Sequence, residues 1–574
     1  MRVRRITVLL FLAAMALLLS GAAAAQTTTK LNLSVNATAK QHPIDPNIYG
    51  MSQYAASSYP TFPSFAEEIK LPNIRWGGNA TTRYNWQVDA TNSGADFFFI
   101  GGNGQSNPTP SGQVDAMIST YKPAGTNPLV TIPIIPYIYS NSYSPNTNLY
   151  LCSFNQKYYP NQGVDPFVGW TIFFPFVNTV DGLCGMGWDQ TGSYQLLDTN
   201  IYYNHIDNGP SIQQQWVQHL VSTFGKSWKG GIHYFQLDNE PYGWGNTHVD
   251  VMPNGAPYDL ILNLGEQYAT GIKQVDPSAL VFGPSDFTLG GWLGDPNYTQ
   301  GIGIQDNLPA AAYYLKEFAK YDEENGKRSL DYFDEHFYGN NGTTNPPTGP
   351  GEIQTTRALW DPTYNSGTWV EQYFFNGPMM LIPRFKSWAK KYYPGTKVSL
   401  SEFSMTLDGT QNPGGVPTIY DALTQADTLG IFGREGLDFA DEWYVPNPTD
   451  PVAYAYRIYR NYDGKGGQYG DTWVDSTSQD QTQLVVYGAQ RSKDRALTLV
   501  VINKTGNPIK GVLHVENFQT TSDWAEIYSY TGSNLTSIVR QPNIPLAKTG
   551  NSVKGFTSTF PAYSASTVVI KRTN

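Results

Sequence analysis

Short apolar runs alternate with amphipathic stretches over most of the chain, from about residue 46 to residue 463. Runs of this length are typical of buried strands, and the stretches between them repeat apolar residues at helical spacing. The runs lie at residues 129–136 (LVTIPIIP), 232–237 (IHYFQL), 280–283 (LVFG), 332–338 (YFDEHFY) and 398–403 (VSLSEF). The predicted helices lie at residues 212–224, 258–275, 310–321 and 379–392. Strands that alternate with helices over about 400 residues predict an α/β fold, a (β/α)8 TIM barrel with long loops.

After about residue 464 the helical spacing ends and short strands follow one another between Gly, Asn, Ser and Pro turns. This pattern predicts a smaller C-terminal antiparallel β-sandwich. Near the other end, residues 30–38 (KLNLSVNAT) alternate apolar and polar positions like a half-buried strand. We expect residues 26–45 to join the sandwich, residues 46–463 to form the barrel and residues 464–574 to form the rest of the sandwich.

The first 25 residues have the pattern of a secretory signal peptide. A basic start (MRVRR) precedes an apolar stretch at residues 6–20 and a small-residue zone, with cleavage expected after Ala25. Cleavage removes three arginines and no acidic residue, which changes the net charge from −10 to −13. A membrane anchor is the less favoured interpretation because the apolar stretch is shorter than about 18–20 residues. The sequence therefore predicts a secreted protein, extracellular or periplasmic, without a membrane span after cleavage.

Composition narrows the classes of function. Only 15% of the residues are charged. The chain has 37 basic and 47 acidic residues, so its net charge is negative, whereas a protein that binds a nucleic-acid backbone normally has a positive one. Aromatic residues make up 14% of the chain, which favours a ligand that stacks on rings. The two cysteines, Cys152 and Cys184, are expected to form a disulfide in an oxidising compartment. A catalytic thiol is the minor alternative, since neither cysteine has an activating motif beside it.

The strongest chemical signal is the end of the run at residues 232–241 (IHYFQLDNEP). Residues at the carboxyl ends of barrel strands face the active-site mouth. Glu240, desolvated there beside aromatic residues such as Trp244, should have a raised pKa and act as a proton donor. The amide of Asn239 could hold a sugar hydroxyl. The alternative is that Asp238 and Glu240 are solvated carboxylates at a strand end.

A second strand, at residues 398–403, ends in a single carboxylate, Glu402. Retaining glycosidases use two carboxyl groups about 5–5.5 Å apart, one as acid/base and one as nucleophile. Two glutamates at the ends of different strands of one barrel can meet that distance, although 162 positions separate them (402 − 240). Glu335 and Glu442 are rival candidates for the second role.

Further polar and aromatic side chains could complete such a site. Arg75, at a predicted strand end, is suited to fixing a carboxylate. His336 and Tyr338 project from the same face of one strand, where Tyr338 could hydrogen-bond the nucleophile. Packing in the core is an equal alternative for both. Trp443 could form the floor of a sugar subsite. The predicted substrate-binding residues are therefore Arg75, Asn79, Asn239, Trp244, His336, Tyr338 and Trp443.

At these residues the sequence resembles glycoside hydrolase family 44, a family of secreted endoglucanases and xyloglucanases. The resemblance runs from about residue 44 to Trp443. It is carried by residues 44–50 (IDPNIYG), 75–79 (RWGGN, which includes Asn79), 84–86 (YNW) and 237–241 (LDNEP), by Trp244, Thr247 and His248, and by the pairs at 276–277 (DP) and 283–284 (GP).

The resemblance implies a (β/α)8 barrel with a C-terminal β-sandwich and hydrolysis of β-1,4-glucans with retained configuration. It also implies that Glu240 is the acid/base, at the fourth strand, and that Glu402 is the nucleophile, at the seventh. The sequence departs from the family at Phe403, where a tyrosine-like partner is expected, and in long insertions around residues 152–207. Some members of the family hold a structural calcium. Its ligands cannot be matched to residues of this sequence, so the sequence makes no prediction about a bound metal.

The expected partner is a neutral plant-type polysaccharide, and the chemistry requires no cofactor. Which glucan is preferred, and the oligomeric state, stay open at this point. A first rival is another barrel-plus-sandwich glycosidase (a xylanase, mannanase or arabinofuranosidase), which would keep both glutamates. A second is a catalytically inactive carbohydrate-binding protein. A metallohydrolase is disfavoured because the seven histidines show no metal-binding spacing.

Overall fold

The computed structural model describes most of the chain. The described residues are 29–53, 59–102, 108–140, 152–160, 162–163, 184–189, 200–293, 308–339, 348–367, 371, 377–406 and 416–572. The predicted signal peptide at residues 1–25 lies outside them, as does much of the insertion between residues 152 and 207.

Eight parallel strands form a closed barrel in which each strand pairs with its neighbours along the chain and the last pairs with the first. Strands and helices alternate, so the predicted α/β barrel is confirmed. The strands are β1 Gly50–Ser52, β2 Asn73–Trp76, β3 Asn127–Ile132, β4 Tyr234–Leu237, β5 Leu280–Phe287, β6 Tyr332–Tyr338, β7 Lys397–Ser404 and β8 Phe439–Glu442. The main helices that follow them are Phe62–Ile69, Gly112–Tyr121, Pro210–Phe224, Tyr258–Val275, Ala310–Asn325, Leu381–Tyr392, Ile419–Glu435 and Pro451–Arg460.

The interior of the barrel is divided into an apolar and a polar layer. At the amino end of the strands, five buried side chains form a separate hydrophobic cluster: Leu129, Tyr234, Phe282, Tyr332 and Phe439. The rings of Phe282 and Tyr332 stack with centroids 4.0 Å apart. Because side chains two positions apart share one face of a strand, the next inward residues lie one layer higher. These are Gln236 after Tyr234 and Asp334 after Tyr332, and both are buried.

A second sheet lies beside the barrel. Along its main order the strands are Asn534–Pro545, Trp524–Thr531, Ser564–Ile570, Leu497–Asn503, Leu484–Gln490, Thr472–Ser478, Thr29–Asn36, Ile509–Glu516, Ser552–Phe560 and Ala547–Thr549. The short strand His42–Pro43 lies outside this order and pairs with Thr472–Ser478. The strand Thr29–Asn36 sits in its middle, antiparallel to Thr472–Ser478 and parallel to Ile509–Glu516. The sheet is therefore mixed at this pair and antiparallel at the other pairs along this order.

The long connection after β3 carries short elements at the barrel mouth. Strand Tyr137–Tyr139 pairs with His205–Asp207 in a two-stranded sheet. The predicted disulfide is confirmed, since Cys152 and Cys184 are bonded with their Cα atoms 6.0 Å apart. No helix among the described residues is long and apolar enough to cross a membrane.

A buried ion pair joins the barrel to the second sheet. Lys504 Nζ, just past strand Leu497–Asn503, lies 2.7 Å from Asp427 Oδ2 in the barrel helix Ile419–Glu435, and both side chains are almost completely buried. The Asp427 carboxylate also accepts hydrogen bonds from Thr356 Oγ1 at 2.6 Å and from the hydroxyl of Tyr487 at 2.7 Å. Removing one partner of such a pair leaves an uncompensated buried charge.

We therefore expect Asp427→Asn to lower the free energy of unfolding by about 3–5 kcal/mol, because Lys504 would be left buried without its counter-ion. Denaturant unfolding followed by circular dichroism measures the change. Asp475→Asn is the matched control, since it breaks an ion pair whose lysine, Lys40, is 73% exposed. That control should cost under about 1 kcal/mol. Equal effects of the two substitutions would contradict the role given to the buried pair.

Candidate active site

The two predicted glutamates lie at the carboxyl ends of barrel strands. Glu240 follows β4 after two residues, and Glu402 lies within β7. One carboxylate oxygen of each and a ring nitrogen of His336 all lie within 4.8 Å of one another. His336 Nδ1 is 2.9 Å from Glu240 Oε1 and 3.8 Å from Glu402 Oε2. The structure thus brings residues from β4, β6 and β7 to one point at the barrel mouth.

An unusual backbone directs Glu240 into the mouth. Asp238 and Glu240 both have left-handed conformations, with φ of 61° and 49°, which cost about 1–2 kcal/mol each in residues with a Cβ. Two contacts hold the turn. The Asp238 carboxylate accepts hydrogen bonds from the backbone N–H groups of Ile134 and Ile135 at 2.6 and 3.0 Å. The Glu240 N–H donates to the carbonyl oxygen of Ser285 at 2.9 Å. Asp238 therefore shapes the loop and is not a solvated carboxylate.

Glu402 is held by two donors, one on each carboxylate oxygen. Arg75 Nη1 donates to Oε2 at 2.6 Å, and the hydroxyl of Tyr338 donates to Oε1 at 2.6 Å. The tyrosine partner of this carboxylate thus comes from β6. Phe403, the residue that departs from the family pattern, is buried against Phe432 with ring centroids 4.9 Å apart.

Arg75 is completely buried and also contacts the side chains next to the other glutamate. Its Nε donates to Gln236 Oε1 at 2.7 Å and its Nη2 donates to Asn239 Oδ1 at 2.6 Å. A guanidinium can only donate, so the Gln236 oxygen must face Arg75 and its amide nitrogen must face the opposite way. That nitrogen lies 3.0 Å from Ser401 Oγ and 3.4 Å from His336 Nε2.

This orientation favours one tautomer of His336. The Gln236 amide nitrogen lies 3.4 Å from Nε2 and can donate to it, which favours a ring proton on Nδ1, 2.9 Å from Glu240 Oε1. Burial and the nearby charge of Arg75 hold the pKa of His336 well below its usual value, which keeps the ring neutral. Since Oε1 of Glu240 accepts this hydrogen bond, the acid proton of Glu240 belongs on Oε2.

Desolvation and neighbouring charge favour the protonated form of Glu240. Burial raises the pKa of this carboxyl well above its usual value, and the charge of Glu402 raises it further. The hydroxyl of Tyr338 has a raised pKa for the same two reasons, so it stays a donor to Glu402. The two glutamates are thus unequal: one is set up to carry a proton, and the other is bound by donors that stabilise its charge.

The remaining predicted residues differ in how much of their surface is exposed. Asn239 is buried and donates from Nδ2 to Asn79 Oδ1 at 2.9 Å, and Asn79 is half-buried. Trp443 is half-buried, with the Arg75 guanidinium 6.0 Å from its ring centroid. Trp244, in contrast, lies in the hydrophobic core with no exposed surface, because the short helix Trp244–Thr247 turns its ring inward. It therefore offers no ring face to a ligand, contrary to the expectation for this residue.

The rival glutamates lie outside the cleft. Glu335 is completely buried on the face of β6 opposite to His336, where burial, and then the neighbouring carboxyl of Asp286, raises its pKa well above the usual value. Glu442 is also completely buried, and burial raises its pKa to about 8. Neither carboxyl has exposed surface through which it could reach a ligand.

The sequence reasoning missed the polar layer below the glutamates, formed by Gln236, Asp334 and Ser401. Ser401 Oγ donates to Asp334 Oδ2 at 2.6 Å, and Ser285 Oγ donates to the same oxygen at 2.7 Å. The available signal was a set of polar residues in otherwise apolar strands, each one to three positions before a predicted site residue. Among the described residues, the group of acidic and histidine side chains close enough to hold a metal is Glu240, His336 and Glu402. It does not fit calcium, which prefers six to eight oxygen ligands, since one of the three is an imidazole and Arg75 holds another.

Comparison with known proteins agrees with this geometry. Residues 90–341 match the model of glycoside hydrolase family 44. Endoglucanase A of Paenibacillus lautus is 27% identical over 565 residues, which cover 94% of this chain and 72% of that protein. The crystal structure of CelM2, a bifunctional glucanase-xylanase from a metagenome library, is 31% identical, with a TM-score of 0.82 over 95% of this chain and 100% of that one.

A family 44 endoglucanase from Clostridium acetobutylium is 26% identical, with a TM-score of 0.74 over 95% of this chain and 100% of that one. These likenesses extend over the barrel and the second sheet together. The resemblance seen in the sequence motifs is therefore confirmed: the chain is a glycoside hydrolase and belongs to family 44.

Proposed function

We propose that the protein is a secreted endo-β-1,4-glucanase that cleaves glucan-type polysaccharides with retention of configuration, using Glu240 as acid/base and Glu402 as nucleophile. The observation that carries the proposal is the separation of the two carboxylates. Their nearest oxygens lie within 4.8 Å, which fits the spacing of about 5–5.5 Å between carboxyl groups in retaining enzymes and not the 6.5–9.5 Å or so of inverting ones. Secretion is supported by the signal-peptide pattern of residues 1–25.

In the proposed mechanism, a Glu402 oxygen attacks the anomeric carbon while Oε2 of Glu240 gives its proton to the departing glycosidic oxygen. The glycosyl ester on Glu402 is then hydrolysed by a water that Glu240, now ionised, deprotonates. Arg75 and Tyr338 donate hydrogen bonds to the nucleophile and orient it. Asn79 and Trp443, which retain exposed surface at the mouth, are proposed to contact the sugar, whereas the buried Arg75, Asn239 and His336 position the glutamates.

Xylan is the second candidate substrate. The relative at 31% identity is described as a bifunctional glucanase-xylanase, and the two glutamates would act on either main chain. A profile of products from cellulose, xyloglucan, xylan and mannan measures the preference. The absence of hydrolysis of all four would contradict the proposed function and favour a protein that only binds carbohydrate.

Glu240→Gln should lower kcat on β-glucan by at least about 10²–10⁴-fold, because the general acid is lost. On an aryl cellobioside with an activated leaving group, the rate of the glycosylation step should decrease much less, because this leaving group departs without being protonated. Steady-state kinetics on both substrates measure the difference. Glu335→Gln is the control: it changes a completely buried glutamate outside the cleft and should leave kcat per folded molecule close to that of the unmodified protein.

Glu402→Ala should abolish hydrolysis of both substrates, and azide should restore cleavage of an activated glycoside by occupying the vacated space. The product would be the α-glycosyl azide, since a single displacement inverts the anomeric carbon. Azide added to Glu240→Ala should instead give the β-azide, through the intact nucleophile. Proton NMR of the products assigns the anomers. The same anomer from both variants would exclude the assignment of the two roles.

The pH dependence should reflect the raised pKa of Glu240. Because Glu240 acts in its protonated form, kcat/KM should stay constant at pH values below the pKa of Glu240 and decrease as the pH rises above that pKa. In Glu240→Gln assayed on the activated aryl cellobioside, this basic limb should disappear. A limb that persists unchanged in the variant would show that another group controls it.

A further inference from the structure

One carboxylate at the mouth of the cleft has no place in the mechanism above. Asp96 lies in the short 3-10 turn Gly94–Phe97 and is exposed to solvent. Both of its oxygens accept hydrogen bonds from the same Asn79 Nδ2, at 3.1 and 3.0 Å. An ionised carboxylate offers about four lone-pair positions, so this amide satisfies only part of its accepting capacity.

Asp96 is the outer end of a chain of hydrogen bonds that begins at the nucleophile. Arg75, which binds Glu402, donates to Asn239, and Asn239 donates to Asn79 at 2.9 Å. Asn79 then donates to Asp96.

The turn that carries Asp96 packs closely against the segment that follows Glu240. Gly94 has a φ of +59°, and a Cβ at this position would lie 2.4 Å from the carbonyl oxygen of Thr247 and 2.9 Å from His248 Nδ1. Only glycine permits this approach. The side chain of Asn92 closes the turn by accepting from the Gly94 N–H at 2.9 Å and donating to the Phe99 carbonyl at 2.8 Å.

We propose that Asp96, oriented by Asn79, accepts hydrogen bonds from hydroxyl groups of a sugar unit next to the scissile bond and so forms a subsite of the cleft. The ligand class is a neutral β-linked hexose chain, whose vicinal hydroxyls are donors that match two carboxylate oxygens. Phe97, which is 37% exposed next to Asp96, adds an apolar surface beside them. The proposal rests on the proposed function and deepens it by naming a specificity-determining residue.

The test uses the full-length protein in the Glu240→Gln background, so that cello-oligosaccharides bind without being cleaved. Asp96→Asn keeps the size of the side chain and replaces one accepting oxygen with a donor. We expect it to raise the Kd for cellotetraose by about 10–100-fold, the range for loss of a hydrogen bond to a charged group. Isothermal titration calorimetry measures the Kd. Asp523→Asn, which changes a 79% exposed aspartate on the second sheet, is the control and should leave the Kd unchanged.

Kinetics separate binding from positioning. With Glu240 intact, Asp96→Asn should raise KM for the oligosaccharide more than it lowers kcat, and Asp96→Glu should restore part of the loss. An unchanged Kd together with a lower kcat would overturn the proposal, because Asp96 would then act only through Asn79 on the catalytic groups. Failure of the proposed function looks different: the unmodified protein would not hydrolyse glucan, and the Glu240→Gln protein would not bind cellotetraose.

Discussion

The candidate site depends on one buried cation. Arg75 has no exposed surface, and its three types of nitrogen each donate to a different side chain: Nη1 to Glu402, Nε to Gln236 and Nη2 to Asn239. Because the guanidinium remains charged and cannot accept, every partner must present an oxygen to it. It therefore does more than neutralise a carboxylate. It determines which way two amides point, and one of them, Gln236, places its amide nitrogen 3.4 Å from His336 Nε2.

The barrel lowers the free-energy cost of burying this polar arrangement because its interior is separated into two layers. The hydrophobic cluster at the amino end of the strands fills the lower part of the barrel, and the polar residues above it form hydrogen bonds with one another. Asp334 illustrates this, since it accepts from Ser285 and Ser401 while Gln236 lies 3.4 Å away. Buried polar groups are costly when unsatisfied, so a linked set of this kind also keeps the strands at a defined register.

Much of the fold could be predicted from the sequence because strand and helix spacings are local properties. The runs that end at Glu240 and Glu402 could be recognised separately, and the closure of the barrel then brings them together. The outcome for Trp244 was different. From the sequence, an aromatic ring after a glutamate can equally be a surface on which a sugar stacks or part of the hydrophobic core. Which of the two it is depends on how the following turn directs the chain. Gln236 was missed for a related reason, since its role arises from contacts with β2, β3, β6 and β7.

The placement of Thr29–Asn36 has a consequence for how the chain is made. This strand lies in the middle of a sheet whose other members, apart from the short strand His42–Pro43, come from residues beyond 470, so its two neighbours are synthesised more than 400 residues later. Until they are made, the strand cannot form the hydrogen bonds of this sheet. Synthesis from the amino end therefore produces the central strand before its neighbours, and loop-closure entropy makes completion of the sheet a late event in folding.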